Sequence, residues 1–438
     1  MGTQSRICLI VLVCYSLLFA CSNQGVTLSR ANQQEISIKQ IELVNSSNRA
    51  PWKLALVANE QQLLVDELPA QFANGKVMLD LAAYLKENDA LQLHFNEAWS
   101  SGTYFTNGSL DLRDYRQEGT LEFDLKIDQI EKGKLDLIVN CEMHCTKAYR
   151  LREWAQTHQQ QGWQHLSIDL SCLIDDADDL SHVHRPFQLS TGGEGQIAFA
   201  NVRFKAQGHS NMPCPSAIEL ATTPSTLNEY WSVEWWLPRH NQKVAQAKQG
   251  SAELIMIGDS ITHGWENEGK EVWNKHFADI KTLNLGYSGD RTENVIWRLQ
   301  HGELGNTEPA LVVMMIGTNN TGHRMDSPQA IAAGVTKIVD ELQQQLPQAK
   351  ILLLEIFPRD AEPDSAMRLN NQVASDLIAE LAKKRGLLFA NFNADFLSVN
   401  GTLTKEMMPD LLHPKALGYE IWAKQLRPFV DQYVRKKE

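Results

Sequence analysis

The stretch LIMIGDSITHGW, residues 254–265, decides the fold. Four apolar residues, Leu254 to Ile257, run straight into Gly-Asp-Ser, as a buried strand would if it ended by holding a serine up to solvent. A short apolar run without polar alternation fits a strand covered on both faces, the situation of a parallel sheet. Outward from it, runs of the same kind recur at ALVVMMIG (310–317), KILLLEIF (350–357) and LLFANF (387–392). Helical patterns lie between them. In 330–346, Ile331, Val335, Ile338, Val339, Leu342 and Leu346 fall at three- and four-residue intervals and make one apolar helix face. Buried strands alternating with amphipathic helices predict an α/β domain of three layers around a parallel sheet. Ligands in such sheets bind beyond the carboxyl ends of the strands, where Ser260 stands.

A serine hydroxyl needs a base to remove its proton, and the base needs an orienting partner. PDLLHPKALGYEIW (409–422) supplies both, with Asp410 and His413 three residues apart, just ahead of a helix carrying Leu417, Ile421 and Trp422. Two further strand ends offer donors to a developing oxyanion. LNLGYSGD (283–290) places Gly286 at one, where the missing side chain lets a backbone N–H approach substrate. MMIGTNN (314–320) places the Asn319 amide at the other. His263, one turn after the serine, is a second candidate base.

These blocks, Gly258-Asp-Ser260, Gly286, Gly317-Thr-Asn319 and Asp410-Leu-Leu-His413, resemble in order and spacing those of the SGNH, or GDSL-type, hydrolases. The surrounding text is similar to the platelet-activating-factor acetylhydrolase branch. The resemblance covers roughly residues 230 to 435. It implies a flavodoxin-like fold, Ser260 as nucleophile, His413 as base and Asp410 as its orienter. It also implies an oxyanion hole built from Ser260 N–H, Gly286 N–H and Asn319, with no cofactor and no metal. One departure is GTNN, where many members carry an aspartate after the asparagine.

The preceding part of the chain keeps a different period. GTLEFDLKID (119–128) sets Leu121, Phe123, Leu125 and Ile127 on one face with polar residues between. KLDLIVNC (134–141), WQHLSIDL (163–170) and GQIAFANVRF (195–204) repeat the alternation. Short strands separated by turns predict an all-β sandwich or jelly roll over 38–206. The text from 120 to 205 resembles the C-terminal galactose-binding-like domain of marine family 3 exo-glycosidases, which implies a glycan context without fixing whether this copy binds sugar. Residues 207–228, with Pro213, Pro215 and Pro224, have the composition of a linker, and the hydrolase domain is expected over 229–438. The aromatic run YWSVEWWLPRH (230–240) fits packing at the start of that domain or a carbohydrate platform.

Of the 438 residues, the first 21 form a segment of their own. Arg6 and a short apolar run from Ile7 to Phe19 read as a secretory signal. Its end, Leu18-Phe19-Ala20-Cys21, resembles a bacterial lipobox, which implies lipidation at Cys21 although Phe19 stands where a small residue is usual. The polar stretch 22–37 then reads as a tether. The expected location is the periplasm or outer membrane, held by that lipid anchor alone, with free secretion as second choice. Cys141, Cys145, Cys172 and Cys214 are disulfide candidates in such an oxidising compartment, with three pairings open. A formal net charge of −12 argues against nucleic acid as a partner. His182 and His184 lack a third metal ligand in sequence.

The expected activity is that of an exported serine esterase removing short acyl groups, acetyl above all, from poly- or oligosaccharide. The alternatives are a lipid or phospholipid acyl hydrolase and an inert glycan-binding lipoprotein. Polysaccharide, acyl position and oligomeric state are not written in the sequence.

Overall fold

Two long strands organise the first half of the chain. In the computed structural model, Val183–Lys205 pairs through its middle, from Gln188 to Phe199, with Ala90–Thr106, through its first half with Gly133–Cys141 and through its second with Thr120–Gln129, always antiparallel. Register shifts between Thr191 and Gly195 let one strand serve both layers of the sandwich. Phe105, Phe123, Phe187 and Phe199 meet between the layers with ring centroids 5.3 to 6.3 Å apart. The structure describes residues 39–435 apart from 45–50, 60, 107, 131, 142–146, 176–177 and 251. The expected signal, tether and Cys21 anchor, and Cys145, lie outside the described residues.

The alternating face of GTLEFDLKID is buried as expected, but its polar face is covered too. Glu122 is 3% exposed and takes Arg203 and Lys205 at 2.9 and 2.8 Å. Asp124 accepts from Asn201 at 2.7 Å. Alternation identifies the strand correctly, while the ion pairs explain why charged residues are tolerated out of water.

Residues 207–228 do more than connect. A capping box between Ser216 and Glu219 starts the helix Ala217–Thr222. Its Ala221 is fully buried, and the Ala221 carbonyl accepts the Thr292 hydroxyl at 2.8 Å. A disulfide joins Cys172 to Cys214 and ties this segment back to the β-half. Cys141 is also disulfide-bonded. The linker expectation is corrected accordingly: proline-rich composition sets the turns, and apolar positions such as Ala221 and Leu227 dock the rest.

The second half is the three-layer α/β fold. Five parallel strands lie side by side in the order Thr282–Gly286, Leu254–Gly258, Leu311–Met315, Lys350–Leu354 and Leu388–Ala390. The helices Thr292–Gln300, Pro328–Gln345 and Ala366–Arg385 bury one face of the sheet. Lys270–Phe277 and Ala416–Tyr433 bury the other. All five residues of Leu254–Gly258 are buried, which is why its sequence shows no alternation. The order of the sheet reverses at this strand, between its second and third members in sequence. That switch point opens a crevice at the carboxyl ends; Gly286 ends one of the strands that border it, and Ser260 and Asn319 follow the other two.

Candidate active site

At the end of its strand the chain turns at Asp259, whose carboxylate accepts the Ile261 N–H at 3.0 Å and caps the short helix Ser260–His263. Asp259 is 1% exposed, and burial pushes its carboxyl up to about 6. The Ser260 N–H opens this helix, where no earlier turn exists to receive it.

From the far end of the chain, Asp410 shapes the loop that brings His413 in. One carboxylate oxygen accepts the backbone N–H groups of Leu412 and His413 at 3.1 and 2.8 Å, around Leu411 in a left-handed conformation. The other lies 2.6 Å from His413 Nδ1. Partial burial raises the Asp410 carboxyl, but the bonds from His413 outweigh it and leave the group below the ordinary carboxylate range. An ionised Asp410 accepts a hydrogen bond from Nδ1–H and so fixes the proton on that nitrogen, leaving Nε2 to accept from the Ser260 hydroxyl, 2.7 Å away. Residues 153 positions apart are thus joined in one chain of hydrogen bonds. His263 does not compete. Its Nδ1 lies 3.1 Å from Ser288, its Nε2 points toward Glu266, and burial beside Arg239 brings its pKa down to about 4.

One donor expected of the oxyanion hole is already engaged elsewhere. Gly286 N–H is already donated to the Asn284 side chain at 2.8 Å, and a Cβ at Gly286 would come within 2.2 Å of the His263 nitrogen. Its lack of a side chain serves close packing. Three residues on, Gly289 adopts φ +82° and its N–H makes no hydrogen bond among the described residues. Asn319 sits beside this turn and donates to the Asp290 carbonyl at 3.0 Å, with its second amide hydrogen left over. Asn319 thus contacts the turn that contains Gly289.

Asp290 holds that turn from behind. It is fully buried, accepting from Trp236 Nε1 at 2.6 Å and Arg298 Nε at 2.8 Å, while Arg298 lies 3.9 Å over the Tyr287 ring. Sequence reasoning missed Gly289 and Asp290 by stopping at the first glycine after the strand. The signal was the Gly-Asp pair opening the next helix, a turn type that needs positive φ.

The β-half reaches this site. Glu229 pairs with Arg150 of the β-half and with Arg291, 3.2 Å away, and Arg150 also donates to the His323 carbonyl at 3.2 Å. His323 lies near the end of the helix Thr318–Arg324 that begins next to Asn319. Burial raises the Glu229 carboxyl, yet the two arginines win and hold it down to about 2. Burial, together with Arg291, brings His323 down to about 3. Among the described residues no three His, Cys, Asp or Glu side chains gather as metal ligands would.

Residues 256–421 match the GDSL-like lipase/acylhydrolase family, and residues 50–204 match the galactose-binding domain-like family. The chain is 32% identical over 199 residues to human platelet-activating factor acetylhydrolase IB subunit alpha1, covering 45% of this chain and 84% of that protein. It is 29% identical over 231 residues to the rat alpha2 subunit, covering 53% and 95%. The extra C-terminal domain of the exo-1,3/1,4-β-glucanase ExoP from a Pseudoalteromonas species aligns with a TM-score of 0.33 at 15% identity, over 39% of this chain and 95% of that domain.

Two outcomes follow from this geometry. Asn319→Ala lowers kcat on any ester by about 10²–10³ while KM stays within a few-fold, because the amide works on charge formed in the transition state; steady-state kinetics reads the split. His263 and His323 stay neutral when folded but protonate near pH 6.5 once unfolded, so between pH 6.5 and about 4 the unfolded chain binds more protons. Stability then falls with pH through that window, by about 1.4 kcal/mol per pH unit for each histidine. Urea unfolding at several pH values measures the slope, and His323→Gln removes about half of it, leaving the His263 share.

Proposed function

Because the chain belongs, through residues 256–421, to the GDSL-like lipase/acylhydrolase family and is an ester hydrolase, we propose that it removes short acyl groups, acetyl above all, from carbohydrate hydroxyls. The observation that carries the catalytic part is the Ser260–His413–Asp410 chain of hydrogen bonds. Ser260 Oγ attacks the ester carbonyl as His413 Nε2 takes its proton. Asp410 keeps the ring in the right tautomer and stabilises the imidazolium that forms. The oxyanion is received by the N–H groups of Ser260 and Gly289 and by the Asn319 amide. His413 returns the proton to the departing sugar alcohol, which leaves an acyl-enzyme. Water, deprotonated by the same nitrogen, releases the acid and restores Ser260. The chain's own residues handle every proton and charge in this scheme.

Carbohydrate as the alcohol is supported by the galactose-binding-like family of residues 50–204 and by the Arg150 contacts that bring this half to the active-site turn. Export as a periplasmic or outer-membrane lipoprotein through Cys21 belongs to the same reading and rests on the sequence of residues 1–21. A lipid ester is the second reading, favoured by the relatives' name of platelet-activating factor acetylhydrolase.

Acetate release from acetylated oligosaccharides, with p-nitrophenyl esters of increasing acyl length alongside, distinguishes these readings. The proposal expects glycan acetate release, a preference for the shortest acyl chain, and a loss of about 10³-fold or more in Ser260→Ala. Rates that rise with chain length would move the enzyme to lipids.

A further inference from the structure

Resting on the carbohydrate reading, we propose that Trp231 is a sugar-stacking subsite for the alcohol side of the ester. Among the described tryptophans it alone is exposed, at 40%. Its position is more telling than its exposure. A Cβ built on Gly289 would lie 2.1, 3.0 and 3.2 Å from Cη2, Cζ3 and Cζ2 of the Trp231 ring. The six-membered ring therefore rests against the Cα of the residue whose N–H, without a hydrogen bond among the described residues, is assigned above to the oxyanion. His323 stands edge-on to the indole, 6.3 Å between centroids.

The platform is rigid. Ser232, fully buried, accepts the Glu229 N–H at 3.0 Å and donates to the Leu227 carbonyl at 2.7 Å. The Trp231 carbonyl accepts Trp235 Nε1 at 3.1 Å. The β-half clamps the same turn: Arg150 holds Glu229, and Gly193 lies under the Tyr230 ring, where a Cβ would come within 3.1 Å. A fixed, half-exposed indole beside an acyl-transfer site offers a flat apolar face for a pyranose ring. Its Nε1–H, unpartnered among the described residues, can meet a sugar hydroxyl. An acyl group bound at Ser260 leaves the alcohol to extend past Gly289, across that face. On this account the galactose-binding-like half contributes by holding Trp231 in place.

Binding of O-acetylated xylo-, manno- and gluco-oligosaccharides to full-length Ser260→Ala, measured calorimetrically, separates this from turnover. Adding Trp231→Ala should weaken the best ligand about tenfold, equivalent to about 1.4 kcal/mol. Trp231→Leu, which keeps apolar bulk over Gly289 without a ring, should weaken it similarly, and Trp231→Phe should stay within about threefold. Binding by the Ala and Leu variants equal to that of the Trp231 parent, with unchanged thermal midpoints, overturns the subsite and leaves the carbohydrate reading standing. If Ser260→Ala binds none of these glycans, the carbohydrate reading itself falls, and the subsite with it.

Discussion

Glu229 keeps its negative charge inside the protein, and much of the active-site architecture depends on that. A buried carboxylate is tolerated only where partners replace water, and here they come from both halves: Arg150 from the β-half and Arg291 from the start of a helix on the parallel sheet. The charge sits in the turn that presents Trp231, and its arginines reach His323, near the end of the short helix that begins next to Asn319. Lys39 onward accordingly packs as one compact unit. An enzyme assembled from a sandwich and a separate hydrolase would need no such group.

Around that fixed point the catalytic parts are supplied by strand ends. The sheet order places the serine strand between its neighbours, so three loops converge on one crevice although their residues lie far apart in sequence. A carboxylate holds the serine helix, the Gly289 turn and the histidine loop in turn: buried Asp259 caps the first, buried Asp290 with Arg298 braces the second, and Asp410 folds the third as well as orienting the ring. Placing the support in carboxylates rather than in apolar packing gives each loop a directional hold, which is what a site dependent on hydrogen-bond geometry requires.

Much of this was legible in the sequence. The apolar runs at 254–257, 310–317, 350–357 and 387–392 read as buried strands because burial on both faces removes any alternation. Ser260, Asp410 and His413 were legible because their chemistry depends on residue type and order. Gly286 misled because a glycine tolerated for close packing looks the same on paper as one chosen for an exposed N–H. Only the bond to Asn284 and the positive φ at Gly289 separate the two. The connector was misread for a related reason: its prolines mark turns, while the contacts that dock Ala221 and Leu227 come from residues far away in sequence. The covered face of Glu122 and Asp124 was equally hidden, since the arginine and lysine that neutralise Glu122 lie at 203 and 205, on another strand.

The central claim is covalent catalysis by Ser260, and the most direct measurement looks for the intermediate. Turnover of p-nitrophenyl acetate quenched in acid, followed by peptide mass spectrometry, should find one acetyl group on the peptide containing Ser260, absent from Ser260→Ala. Active enzyme with no acetyl on that serine, or with the acetyl on another residue and turnover intact in Ser260→Ala, would contradict the account.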